Sequence, residues 1–301
     1  MRLHLASFRR AAPLLFATCL VANVATAASS AITVTDDAGR SITLPHSPQR
    51  IISIAPGATE MLFAAGAGNR VIATVEFSDE PADAKKVPRI GDSNAIDIER
   101  VVALRPDVVV VWEGGSNVAQ VAQLERLGVL LYRQKVEALT EIPGSLRRLG
   151  TLASTEQAAE HAAADVESRL AQLARHYGRR ASLSVLLEVW NRPVYTVGGA
   201  HMMSDALRLC GARNVFGDLR DPGPAVDVEA VIARDPDVIV AVAPPGVANE
   251  WLADWKRFGS LRAVRTNRLI PFEDQRFSRL GPSAVAGTEA LCEAIDRTRG
   301  K

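Results

Sequence analysis

The stretch Asp97-Ile98-Glu99-Arg100-Val101-Val102-Ala103-Leu104-Arg105-Pro106-Asp107-Val108-Val109-Val110 returns later in the chain. It reads there Asp227-Val228-Glu229-Ala230-Val231-Ile232-Ala233-Arg234-Asp235-Pro236-Asp237-Val238-Ile239-Val240, at a constant offset of 130 residues and without a gap. Each copy opens on an aspartate, a residue suited to the N-cap because its carboxylate accepts from a backbone N–H that the helix leaves unpaired. Apolar residues follow at helical spacing, Ile98, Val101 and Val102 in one copy and Val228, Val231 and Ile232 in the other. Pro-Asp then ends each helix, since proline lacks the N–H and clashes with the preceding turn. An unbroken aliphatic run comes next. With no polar alternation, it suits a parallel strand covered on both faces.

Working outward, Arg50-Ile51-Ile52-Ser53-Ile54 reads as a strand before the helical stretch 57–69. Residues 184–189 and 194–196 read as strands before the stretch 200–214. Both stretches close on Gly-Ala-x-Asn, at Gly66 and at Gly211, where glycine can take the left-handed conformation that caps a helix. The chain is thus a duplication of a βαβ-rich unit. Residues 154–180 are rich in Ala, Glu, Gln, Arg and Leu, with no proline and no glycine before Gly178. They predict one long helix of roughly 40 Å, where a flexible linker would carry Gly, Ser or Pro. The expected fold is α/β: two Rossmann-like lobes with mainly parallel sheets, joined by one long helix, with a ligand cleft between the lobes. Its boundaries are a leader at 1–27, an N-terminal lobe at 28–153, the connecting helix at 154–180 and a C-terminal lobe at 181–301.

The leader is an export signal. Arg2, Arg9 and Arg10 precede an apolar run at 11–22, and Ala25-Thr26-Ala27 supplies the small residues that a signal peptidase requires. The run is too short for a membrane-spanning helix, which takes ~20 residues. Cleavage is expected after Ala27. Phe16-Ala17-Thr18 does not suit a lipidation signal, so Cys19 belongs to the discarded segment. Loss of three arginines takes the formal net charge from +1 to −2, which gives no electrostatic footprint for nucleic acid or an anionic membrane. Cys210 and Cys292 remain. They are either a disulfide, as an even pair in an oxidising compartment suggests, or two buried thiols packing as small hydrophobes.

These features together resemble the periplasmic-binding family that delivers vitamin B12, iron-siderophores and haem to ABC importers. The likeness covers about residues 48–299. It is carried by Arg50-Ile51-Ile52-Ser53-Ile54-Ala55-Pro56-Gly57-Ala58-Thr59-Glu60 and by residues 98–107. Trp112-Glu113-Gly114-Gly115-Ser116-Asn117 is most similar to the cobalamin-binding branch. The resemblance implies a Cys210–Cys292 disulfide, a monomeric chain and a periplasmic location. It also implies that Glu99 and Glu229 dock against arginines of two permease subunits, through pairs that can be bidentate. Residue by residue, a simpler role stands beside that one. Each glutamate falls near N2 of its helix, where a carboxylate stabilises the macrodipole by ~0.3–1 kcal/mol without any partner.

A corrin or porphyrin is a broad apolar disc with polar edges, so its site needs aromatic faces and a few placed donors. Phe77, Trp112, Tyr195, Phe277 and Arg279 fall in loops after strands and are the expected cleft residues. The resemblance implies that role for all of them except Phe277, which core packing would explain equally well. Trp190, Trp251 and Trp255 are expected to pack. Ser93 and Gly223 stand where the cobalamin-binding branch carries tryptophans, which keeps haem and a ferric siderophore open as alternative ligands. Tyr195 or His201 would then face the iron. No resident cofactor is expected. An α/β enzyme is the distant alternative: no Gly-x-Ser-x-Gly elbow, Walker loop or dinucleotide fingerprint occurs, and Glu60 and Asp205 sit on separate halves. His46, His161, His176 and His201 show no metal-ligand spacing, so no metal site is expected.

Overall fold

The computed structural model describes residues 31–92 and 94–300. The export leader with its cleavage point, Cys19 and Ser93 lie outside the described residues. The first half begins with a β1 (Ile32–Thr35) and β2 (Ser41–Leu44) hairpin, followed by β3 (Ile51–Ser53), α1 (Pro56–Ala64) and β4 (Val71–Ala73). It continues through α2 (Ile98–Ala103), β5 (Val108–Trp112), α3 (Val118–Arg126), β6 (Leu131–Gln134) and α4 (Ile142–Ala153). Helix α5 (Glu156–Tyr177) leads into the second half: β7 (Leu183–Glu188), β8 (Trp190–Asn191), β9 (Val194–Tyr195), α6 (Met202–Leu209) and β10 (Ala212–Asn214). The remainder is β11 (Ala225–Val226), α7 (Val228–Arg234), β12 (Val238–Val242), α8 (Ala248–Trp255), α9 (Arg262–Arg265), β13 (Leu269–Phe272) and α10 (Ser283–Arg299).

Two parallel four-stranded sheets result, ordered β4-β3-β5-β6 and β10-β7-β12-β13. The second order is the first repeated, with β7 in the place of β3 and β12 in the place of β5. The halves differ in their small antiparallel sheets, the β1-β2 hairpin in the first and β11-β9-β8 in the second. Alternating side chains explain why the aliphatic runs are unbroken. Val108 and Val110 enter the large core cluster shared by both halves, while Val109 and Val111 enter a cluster confined to the first. At the repeated positions Val238 and Val240 join the shared cluster, and Ile239 and Ala241 a cluster confined to the second.

The repeated segment is also repeated in its bonds. Asp97 Oδ1 accepts the Arg100 N–H at 2.9 Å, and Asp227 Oδ1 accepts the Ala230 N–H at 2.7 Å. Arg105 and Asp235 both take left-handed backbone, with φ 44° and 38°. Asp107 then holds the neighbouring β3 segment, accepting from the Gln49 and Arg50 N–H groups at 2.7 and 2.9 Å. Asp237 does the same to β7, through the Ser184 N–H at 2.8 Å and the Ser184 hydroxyl at 2.7 Å. The Pro-Asp pair therefore stops a helix and fixes the next strand against its neighbour.

One expectation is corrected in detail. Helix α5 begins at Glu156, not at residue 154, because Ser154 takes φ 52° and closes α4. Its 22 residues span roughly 33 Å. Cys210, just past α6, and Cys292 within α10 form a disulfide with S–S 2.02 Å, buried in the shared core. Among the described residues no helix is long and apolar enough to cross a membrane.

Candidate ligand-binding cleft

A cavity of about 470 Å³ opens between the halves, within the range of small-molecule sites. Trp112 and Gln134, the last residues of β5 and β6, reach it from the carboxyl ends of parallel strands, where open α/β sheets receive ligands. Residues 55–58, at the start of α1, form its floor together with Ser278, Arg279 and Leu280 from the second half. The halves meet closely there. A Cβ on Gly57 would come within 2.8 Å of the Leu280 carbonyl oxygen, so only glycine fits.

Three expected residues come together. Phe77 is 73 % exposed and sits at φ 63°, a left-handed backbone that is rare for a bulky side chain. The next residue fixes that strained loop: Ser78 Oγ lies 2.9 Å from Thr74 Oγ1, within a buried hydroxyl cluster that includes Ser53 and Thr59. Trp112 lies over a tight turn in which the Ser116 N–H donates to the Trp112 carbonyl at 3.0 Å. Gly115 is needed beneath the ring, where a Cβ would fall 2.0 Å from Trp112 Cε3. Arg279 approaches from the second half and donates from Nη1 to the Phe77 carbonyl at 3.3 Å.

Gln134 is a cleft residue that sequence reasoning missed. It is buried, it lines the cavity, and among the described residues its Nε2 finds no acceptor. An unpaired buried amide is costly, so a ligand carbonyl or carboxylate there would relieve it. The carboxylates at related places in the two halves turn out to be reciprocal clasps. Glu60, on α1, accepts the backbone N–H of Ser283 and its hydroxyl, the latter at 2.7 Å, at the start of α10. Burial pushes its carboxyl above the usual range, opposed by the Ser283 bonds and by the charge of Arg279. Asp205, on α6, accepts the Leu139 N–H of the first half at 2.9 Å. Each half thus caps a helical segment of the other.

Other expected residues lie elsewhere. Phe277 is a correction: it is 1 % exposed, packs edge-on to Phe272 at 5.5 Å and seats its backbone against Gly287, so it belongs to the core and does not line the cavity. Tyr195, on β9, is 39 % exposed but does not line this cavity either. Trp190, its cross-strand partner, was expected to pack and is instead 54 % exposed, resting by one edge on Trp251. Trp251 and Trp255 are buried as expected. His201 caps α6, with Nδ1 accepting the Met203 N–H at 3.1 Å, and burial lowers its pKa. That nitrogen is taken and cannot face an iron. Gly223 is exposed, with open space where a side chain would begin. Among the described residues no cluster of His, Cys, Asp or Glu is arranged to hold a metal ion.

Glu99 and Glu229 stand at N2 of α2 and α7, both exposed, and among the described residues neither carboxylate has an ion pair or a side-chain hydrogen bond.

A family model described as periplasmic binding protein matches residues 51–275. The vitamin B12-binding protein of Pectobacterium carotovorum subsp. carotovorum (strain PC1) is 33% identical over 251 residues, covering 82% of this chain and 88% of that protein. The crystal structure of the periplasmic vitamin B12 binding protein of Vibrio cholerae matches with a TM-score of 0.76 at 28% identity, covering 84% of this chain and 99% of that one. A periplasmic heme binding protein from Pseudomonas aeruginosa matches with a TM-score of 0.72 at 26% identity, covering 82% of this chain and 92% of that one.

Proposed function

This chain belongs to the periplasmic binding protein family, whose members bind substrates and are not enzymes, and from that premise we propose that it captures a corrinoid in the periplasm and delivers it to an ABC importer. The observation that carries the ligand class is the composition of the 470 Å³ cavity between the halves. Phe77 and Trp112 offer aromatic faces for a broad apolar ring, and Arg279 and Gln134 offer donors for polar groups at its edge. The names of the relatives that are about a third identical support cobalamin itself. The clasps at Glu60 and Asp205 favour small closure over wide hinge motion, because each ties a backbone N–H of one half to a carboxylate of the other. Delivery follows by docking of Glu99 and Glu229 on two permease subunits, after which the importer separates the lobes. The export leader read in residues 1–27 supports a periplasmic setting for that delivery.

Haem is the second reading, favoured by the likeness to the Pseudomonas aeruginosa protein. A competition experiment separates the two. Cyanocobalamin, haemin and a ferric hydroxamate are offered to the mature protein in equal amounts, and the complex is recovered by gel filtration. The corrinoid is expected to co-elute at one per chain. Co-elution of haemin or the hydroxamate in its place would reassign the ligand, and co-elution of none would remove the cleft assignment.

A further inference from the structure

A second cavity, of about 420 Å³, lies within the second half beside the β8–β9 hairpin. Its walls are largely apolar, with Pro193, Val194, Val226, Val228, Trp255 and Phe258 lining it. Into this setting projects one buried carboxyl, Glu188, at the end of β7 and 1 % exposed. The Trp255 indole N–H donates to Glu188 Oε2 at 2.9 Å, and among the described residues Oε1 receives no hydrogen bond and no cation pairs with the group. The other charged groups at the cavity are committed. Arg192 pairs with Asp254 at 2.8 Å, Arg257 lies over the Phe258 ring at 4.8 Å, and Asp227 caps α7. No histidine lines the cavity. Burial, with a smaller contribution from the Asp254 charge, holds the Glu188 carboxyl up at about 7 against the Trp255 bond. A carboxyl so placed is costly unless a donor or cation meets it.

We propose that this cavity is a binding site for a guanidinium or ammonium group carried on an apolar stem, with Glu188 as its counter-charge. The stem fits the walls, and the nitrogen group reaches the unused Oε1. Two sources share that chemistry. Asp227 and Val228 line the cavity and Glu229 follows them directly, so its mouth adjoins the surface on which a permease arginine is proposed to dock. A basic permease side chain is therefore one source, and that assignment rests on the docking reading. A free amine or guanidine is the other, and it does not depend on that reading.

Benzylguanidinium titrated into isotopically labelled mature protein tests the site, with the Trp255 indole N–H as the NMR reporter. A saturable shift of that signal is expected. Glu188→Gln keeps an acceptor for Trp255, so it is expected to retain the wild-type Tm and to bind the probe at least tenfold more weakly. Wild-type affinity falls as pH is lowered through about 7, since a protonated carboxyl offers no counter-charge, and the variant loses that dependence. A Trp255 signal that does not move, or equal affinity in Glu188→Gln, overturns the proposal. The sources are separated by association of the loaded protein with its importer in nanodiscs. Weakening by Glu188→Gln assigns the cation to the permease, and unchanged association with probe binding intact assigns it to a free ligand. Glu229→Ala is measured alongside, so that a failure of docking itself is read independently of the cavity.

Discussion

Replacing Glu99 and Glu229 together with alanine is expected to abolish ligand uptake while leaving ligand affinity unchanged. Both carboxylates are exposed, occupy the same place in the repeated segment and have no side-chain partner among the described residues. On the proposed docking, a twofold importer meets the same acidic residue twice, once on each half. Removing one partner of a desolvated charge pair costs about 2–5 kcal/mol at an interface, so losing both weakens docking by about a thousandfold or more. The cost within the chain is far smaller, ~0.3–1 kcal/mol per helix from the lost macrodipole contribution. Uptake of labelled ligand by cells carrying the double variant, set beside a binding titration of the purified variant, checks both halves of the statement. Collapse of affinity together with uptake would contradict the docking role.

Cys210→Ala with Cys292→Ala is the change expected to cost most stability. The disulfide closes a loop across a sequence separation of 82, for which the chain-entropy model gives about 4.5 kcal/mol. Alanine is the appropriate replacement, because both positions are fully covered and a serine would bury a polar hydroxyl at each. For a chain of this length the loss corresponds to a fall in Tm of roughly 10 °C. The bond also joins α6, which carries the Asp205 clasp, to α10, which begins at the Glu60 clasp. Ligand affinity should therefore weaken together with stability. A thermal melt that shifts by less than about 2 °C would show that packing of the two helices, and not the crosslink, holds this region.

The architecture was readable because local chemistry and tertiary role coincide in the repeated segment. Asp97 and Asp227 cap helices in isolation as they do in the fold, and unbroken aliphatic runs have few uses other than a strand covered on both faces. What Asp107 and Asp237 do was not readable, since their partners, Arg50 and Ser184, lie more than fifty residues away. The cleft was legible only in part for the same reason. Trp112 was recognisable from its Gly-Gly turn, and the structure shows Gly115 directly under the ring. Gln134 carries no comparable local signal. Its place beside Trp112 depends on the register of β5 with β6. Phe277 misled because loop context says little about burial, which here depends on Gly287 one element away. Trp190 misled in the opposite direction: a two-residue strand at the edge of a small sheet leaves its ring largely uncovered.

The proposed corrinoid seat lies between the halves, against Phe77 and Trp112. Calorimetric titration of cyanocobalamin into the mature protein and into its Trp112→Ala variant tests it most directly. One site per chain is expected, weakened at least about tenfold by the loss of the aromatic face, with the variant's Tm unchanged. No binding to the wild type, or equal affinity in Trp112→Ala, would contradict the account.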